Sequence, residues 1–198
     1  MVSQRDLVRR RRKDLRFPTV AVVGYTNCGK TSLIKALTGD ESMSPRNQLF
    51  ATLDVTVHEA VMPSNLSALF VDTVGFISDI PTNLIASFSA TLEDAATADV
   101  LVHVRDISNP DHEKQSKNVL ETLRRLGVPE EKIDSMITLG NKIDLVDPAQ
   151  WKGLKERENL VPVSATEGDT FLHIPFVHKP PNTFGFFRVW PGNCATQN

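Results

Sequence analysis

The sequence predicts an α/β fold, a three-layer sandwich whose mainly parallel sheet is covered by helices on both faces, with one antiparallel edge strand. Three observations carry that expectation. Strand-like apolar runs alternate with helix-like stretches from residue 17 to about 168. The first run, Val20-Ala21-Val22-Val23, passes through a glycine-bounded loop directly into the helix-like stretch Ser32-Leu33-Ile34-Lys35-Ala36-Leu37. Two further runs, 54–61 and 66–71, flank the turn Pro63-Ser64-Asn65 and so pair as a hairpin.

Taken in order, the first strand spans Thr19 to Val23 and the first helix Lys30 to about Thr38, where Gly39 and Asp40 supply a stop signal. In the hairpin, DVTVHEAV alternates apolar and polar side chains, and LSALFV follows it. Leu84, Ile85, Phe88, Leu92 and Ala95 recur at helical spacing and predict a helix over 82–97. Val100 to Ile107 reads as a buried strand, with His103 as a core histidine rather than a ligand. A helix is expected from about Asp111 to Leu126, with Val119, Leu120, Leu123 and Leu126 facing the core. Strands at 135–140 and 160–163 complete the sheet.

The loop between the first strand and helix reads Gly24-Tyr25-Thr26-Asn27-Cys28-Gly29-Lys30-Thr31, followed by Ser32. This fits the phosphate-binding P-loop at every specified position and in the required strand-to-helix context. A helix start offers unpaired N–H groups and the positive end of its dipole. Gly24 and Gly29 let the backbone curl around phosphates, Lys30 suits the β- and γ-phosphates, and the Thr31 hydroxyl suits Mg²⁺.

Composition sets the outer limits. The 198 residues are about one domain, 40% hydrophobic and 23% charged, with no apolar run near the roughly 20 residues that span a bilayer. Cys28 and Cys194 are the only cysteines, and one lies in the phosphate loop, so a structural disulfide is not expected and a reducing, intracellular setting is. The net charge of −2 hides an asymmetry. Residues 1–16 carry Arg5, Arg9 to Arg12, Lys13 and Arg16 against two aspartates, a net of +5 against −7 for the rest. That run suits RNA or an acidic partner, a solvated linker, or an organelle-targeting segment. Residues 170–198 contain no acidic residue, four prolines, five of the ten phenylalanines and Trp190, and no helical period. His173 and His178, five apart, have poor metal spacing.

Downstream motifs narrow the nucleotide. Asp72-Thr73-Val74-Gly75 ends an apolar strand, so the carboxylate can hold a Mg²⁺ water shell and the Gly75 N–H can face a γ-phosphate. Asn141-Lys142-Ile143-Asp144 follows another strand. The Asp144 carboxylate can accept the paired ring N–H and exocyclic amine of guanine, which adenine lacks, for a discrimination of about 10⁴ or more. Asn141 and Lys142 would brace the loops around the base, and Ser164-Ala165 would offer a backbone N–H to the guanine carbonyl. Each piece follows a strand, as ligand sites of open α/β sheets require.

These segments, with Leu49 to Asp54 (LFATLD), Asp72 to Phe76 (DTVGF) and Phe88 to Glu93 (FSATLE), resemble the HflX family of ribosome-associated GTPases over about residues 5–168. The resemblance implies a P-loop GTPase fold, slow hydrolysis of GTP to GDP, and the ribosome's large subunit and rRNA as partners in subunit splitting or biogenesis. Thr52 would be the switch I threonine that closes on Mg²⁺ and the γ-phosphate, Gly75 the anchor of switch II, and Asn27 a ligand of an activating K⁺. Lys30, Thr52 and Gly75 would then carry catalysis. Phe76 stands where Ras-like proteins have the glutamine that orients the attacking water, and it has no atom to do so. A binding module with little turnover is the alternative.

The same resemblance divides the chain into a basic linker remnant (1–16), a G domain (17–168) and an atypical Pro/Phe-rich tail (169–198), expected to be poorly ordered, where relatives have a covering helix. It points to the mitochondrial matrix or the cytoplasm.

Overall fold

The computed structural model describes residues 17–40, 43, 56–61, 67–76, 96–158, 160–166, 175–178 and 183–186. Thr52, the LFATLD and FSATLE segments, almost all of the helix expected over 82–97, the basic run and His173 lie outside these residues.

Six strands form one sheet: β1 (Thr19–Gly24), β2 (Thr56–Val61), β3 (Ser67–Asp72), β4 (Val100–Asp106), β5 (Ile137–Asn141) and β6 (Val161–Pro162). Their spatial order is β2-β3-β1-β4-β5-β6. β1 pairs in parallel with β3 and β4, β4 with β5, and β5 with β6, while β2 runs antiparallel to β3 at the edge. The mainly parallel sheet with one antiparallel edge strand is therefore as the sequence predicts. Four helices accompany it among the described residues: α1 (Lys30–Thr38), α2 (His112–Arg125), α3 (Glu130–Asp134) and α4 (Pro148–Glu158). Of these, α3 and α4 are not among the elements the sequence predicts. Tail residues Pro175–His178 (β7) and Thr183–Phe186 (β8) pair antiparallel in a second, two-stranded sheet.

Alternation along β1 explains the layers. Val20 and Val22 join Leu33 and Ile34 of α1 with Phe70, Val102 and Val104 on one face. Ala21 and Val23 join Val71, Phe76, Leu101, Val119 and Leu123 on the other. A strand buried on both sides must be apolar along its length, and β1 is so from Val20 to Val23. Each of the larger side chains among them contributes about 1.5–3 kcal/mol by leaving water. A third cluster, Ile107, Leu154 and Leu160 with Trp151, seats α4 beside β5.

One core expectation fails. Val119 and Leu123 are fully buried and Leu120 packs at the rim, but Leu126 is exposed. Leu126 is the C-cap of α2, where the chain leaves the helix through Gly127 at φ 77°. Gly127 N–H donates to the Arg124 carbonyl at 3.0 Å and Val128 N–H to the Leu123 carbonyl at 3.1 Å, a Schellman ending. Val128, not Leu126, thus enters the core against Leu123. His103 is a buried core residue as expected, and burial, with help from the Arg105 and Lys30 charges, pushes its pKa down to about 3.

Candidate functional site

Because β1, β3, β4, β5 and β6 run parallel, their carboxyl ends share one rim, and the phosphate loop, Asp72, Asp106, Asn141 and Ser164 gather there.

The phosphate loop is shaped by two residues in the left-handed region, Asn27 at φ 61° and Gly29 at φ 95°, the latter capping α1. Close packing reinforces Gly29, since a β-carbon there would strike the Asn141 amide nitrogen. At Gly24 it would run into the Val104 carbonyl oxygen and the Cys28 sulfur. Lys30 is buried, and its ammonium donates to the Gly24 and Tyr25 carbonyls at 3.2 and 3.0 Å. Cys28 is buried in the loop, and burial raises its thiol pKa, so it is a packed apolar side chain rather than a nucleophile. Ser32 is half-buried in the first turn of α1, and Asn27 is exposed at the rim.

The Thr31 hydroxyl donates to Asp72 Oδ2 at 2.6 Å. Two hard oxygen groups in contact beside a helix start fit a small divalent cation that is shared with phosphate oxygens. Among the described residues no cluster of three or more His, Cys, Asp or Glu side chains could hold a metal alone. The donor set therefore suits Mg²⁺ carried with a nucleotide better than an all-protein cage.

The segment after Asp72 is stitched to the loop. Thr73 donates its hydroxyl to the Val22 carbonyl at 2.7 Å. Phe76 N–H donates to the Gly24 carbonyl at 3.0 Å, and Thr26 N–H to the Phe76 carbonyl at 2.8 Å. Gly75 lies so close that a β-carbon would sit 2.8 Å from the Thr26 Cα and 3.0 Å from the Lys30 nitrogen. Phe76 is 1% exposed, within the core. It lacks a polar atom, as the sequence shows, and it also points away from solvent.

At the other end Asn141 connects two loops. Its amide nitrogen donates to the Cys28 carbonyl at 2.8 Å, and its amide oxygen accepts from the Ala165 N–H at 3.2 Å. Of the two amides expected to serve a guanine carbonyl, that of Ala165 is directed to Asn141. Lys142 adopts φ 63°, turning the chain into the short helical turn Ile143–Leu145 that bears Asp144. Asp144 is exposed, and Ser164 donates its hydroxyl to Asp144 Oδ1 at 2.7 Å. Lys142 Nζ meets Asp106 Oδ2 at 2.7 Å. Sequence reading missed Asp106, Thr73 and the Ser164 hydroxyl. Only Asp106 left a signal, an acidic residue ending an apolar strand at the same rim.

Comparison with known proteins decides the family. A family model described as 50S ribosome-binding GTPase matches residues 19–142. The chain belongs to this GTPase family, as an HflX-type G domain. It is 55% identical over 167 residues to Putative GTP-binding protein 6 of Homo sapiens, covering 84% of this chain and 31% of that protein. GTPase HflX of Caldanaerobacter subterraneus is 44% identical over 145 residues, covering 73% of this chain and 33% of that one. Among solved structures, a GTP-binding protein from Sulfolobus solfataricus in complex with GDP matches with a TM-score of 0.56 and 29% identity, over 82% of this chain and 52% of that one. The HflX-type chain spans about a third of the length of these curated relatives.

Proposed function

We propose that this HflX-type chain binds GTP and GDP at the carboxyl rim of its sheet and hydrolyses GTP slowly. It acts as a nucleotide switch on the large ribosomal subunit, in subunit splitting or biogenesis. The observation that carries this reading is Asn141, at the head of the loop bearing Asp144, whose side chain bonds both the phosphate loop at Cys28 and the Ser164–Ala165 loop. A triphosphate grip and a guanine-reading carboxylate are thereby held as one unit.

Lys30 neutralises charge on the β- and γ-phosphates, and the backbone amides from Asn27 to Ser32 receive phosphate oxygens. Thr31 directly and Asp72 through the ion's water shell would hold Mg²⁺, with Thr52 joining when a γ-phosphate is present. When bound, Mg²⁺ neutralises developing charge on the phosphate oxygens. Asn27, exposed at the loop's rim, is the side chain available to a K⁺ ion. Asp144, oriented by Ser164, selects guanine. Phe76 cannot orient water, so turnover waits on the ribosome. The matched family's description as ribosome-binding supports that partner, and the cations at 9–13 suit its rRNA. The compartment is one that holds ribosomes, the mitochondrial matrix or the cytoplasm. Among the described residues no helix is long and apolar enough to cross a membrane.

Calorimetry with GDP and ADP, then GTP turnover with Mg²⁺, K⁺ and isolated large subunits, tests the reading. Equal affinity for the two diphosphates would sink guanine selection. Turnover that large subunits leave unchanged would sink the switch. The burial of Phe76 favours a second reading, a binding module that returns GTP unchanged over hours in a single-turnover assay.

A further inference from the structure

We propose that Asp106 is a positioning residue for guanine nucleotide binding, acting by holding Lys142 in the base loop. This rests on the placement of the base at Asn141–Asp144. Asp106 ends β4 in register with Asn141 at the end of β5, and the Ile107 N–H donates to the Asn141 carbonyl at 3.1 Å. Both oxygens of its carboxylate are engaged. Oδ1 accepts the Ser108 N–H at 3.1 Å and the Ser108 hydroxyl at 2.5 Å, and Oδ2 takes the Lys142 ammonium at 2.7 Å. The side chains are 12% and 28% exposed, so this ion pair is shielded from the water that weakens surface pairs.

Lys142 also has a left-handed backbone, uncommon for any residue but glycine. Such a conformation persists where its surroundings over-determine it. Asn141 fixes the chain on one side through Cys28 and Ala165, and Ser164 fixes Asp144 on the other. Asp106 fixes the residue between them. With its ammonium committed to Asp106, Lys142 presents its methylene stem to a purine, as long cationic side chains do along apolar surfaces. Without Asp106 the stem is free to rotate and the turn that aims Asp144 loses one of its three ties.

Titration calorimetry of the full 198-residue chain tests this with GDP and IDP, which lacks the exocyclic amine that Asp144 would accept. Asp106→Ala is expected to weaken both about ten-fold and leave their ratio nearly unchanged, since it acts through Lys142. Ser164→Ala should instead narrow the ratio. In the double variant Asp106→Ala/Lys142→Ala the losses should not add, because each removes the same positioned stem. Wild-type affinity in Asp106→Ala, or fully additive losses, would overturn the proposal, as would a melting temperature that falls while affinity holds. If the alanine variant does not fold, the near-isosteric Asp106→Asn serves, with an expected loss of about three-fold; none would overturn the proposal. The base-site reading fails separately, by a GDP-over-ADP preference that survives Asp144→Ala.

Discussion

The two ends of the rim are built differently. At the phosphate end, Gly24 to Thr31 are contiguous in sequence, and Lys30, Asp72 and Phe76 are buried. Much of the fastening there is backbone to backbone, as between Thr26 and Phe76 or Phe76 and Gly24. At the base end, Asp106, Asn141, Lys142, Asp144 and Ser164 come from three separate loops, and side chains fasten them. Asp144 itself is exposed. On the proposed site, the difference teaches that a phosphate grip follows from local chain geometry, whereas guanine selection would follow from assembly. Substitutions should therefore abolish binding at one end and loosen or retune it at the other.

The largest effect should come from Lys30→Ala. Charge-assisted hydrogen bonds are worth about 1.5–3 kcal/mol each, so losing the only ammonium of the loop should weaken GDP and ADP alike by 10²-fold or more, on the order expected for two such bonds. Calorimetry showing a loss confined to GDP would break the division of labour.

Asn141→Ala attacks the join. It leaves the Cys28 carbonyl and the Ala165 N–H without the partners they have in the structure. The expected cost is about 2–3 kcal/mol of folding stability, read as a lower urea midpoint. A midpoint unchanged from the parent would mean that the two ends are held together by something other than this side chain.

His103 lies in the sheet below both ends, so its titration should affect them together. Its folded pKa of about 3 lies below its ordinary value of 6.5. Above pH 6.5 both folded and unfolded chains hold it neutral, and its contribution is complete. As pH falls from 6.5 toward 3 only the unfolded chain takes up the proton, so stability drops by about 1.4 kcal/mol per pH unit. Chemical denaturation at pH 7 and pH 5 should therefore differ by roughly 2 kcal/mol from this residue, and His103→Gln should remove that difference. Equal pH dependence in the variant would contradict the buried neutral state.

The smallest effect is Ser164→Ala, which deletes one hydrogen bond to an exposed carboxylate. About 1 kcal/mol, or five-fold in GDP affinity with ADP unaffected, is expected. A loss shared by ADP would place Ser164 in the scaffold instead.

Legibility followed the same division. The strand-loop-helix at 19–38, the hairpin, β4, α2 and β5 were readable because apolar spacing and turn residues are local signals. The short α3 had too few turns to show a period, and α4 has a weakly apolar face that only Trp151 and Leu154 mark. Leu126 was misplaced because periodicity does not report where a Gly127 reversal hands the core position to Val128. Asp106 was invisible as a partner because Lys142 lies 36 residues away.

By itself the sequence determined the phosphate loop, the parallel sheet and the family, since glycine placement and hydrophobic period act over a few residues. Tertiary structure alone decided that Phe76 is buried, that Asn141 bridges two loops, and that Asp106 anchors Lys142. Those outcomes depend on which strands become neighbours, and hydrogen bonds and burial respond to distance in space, not to separation along the chain.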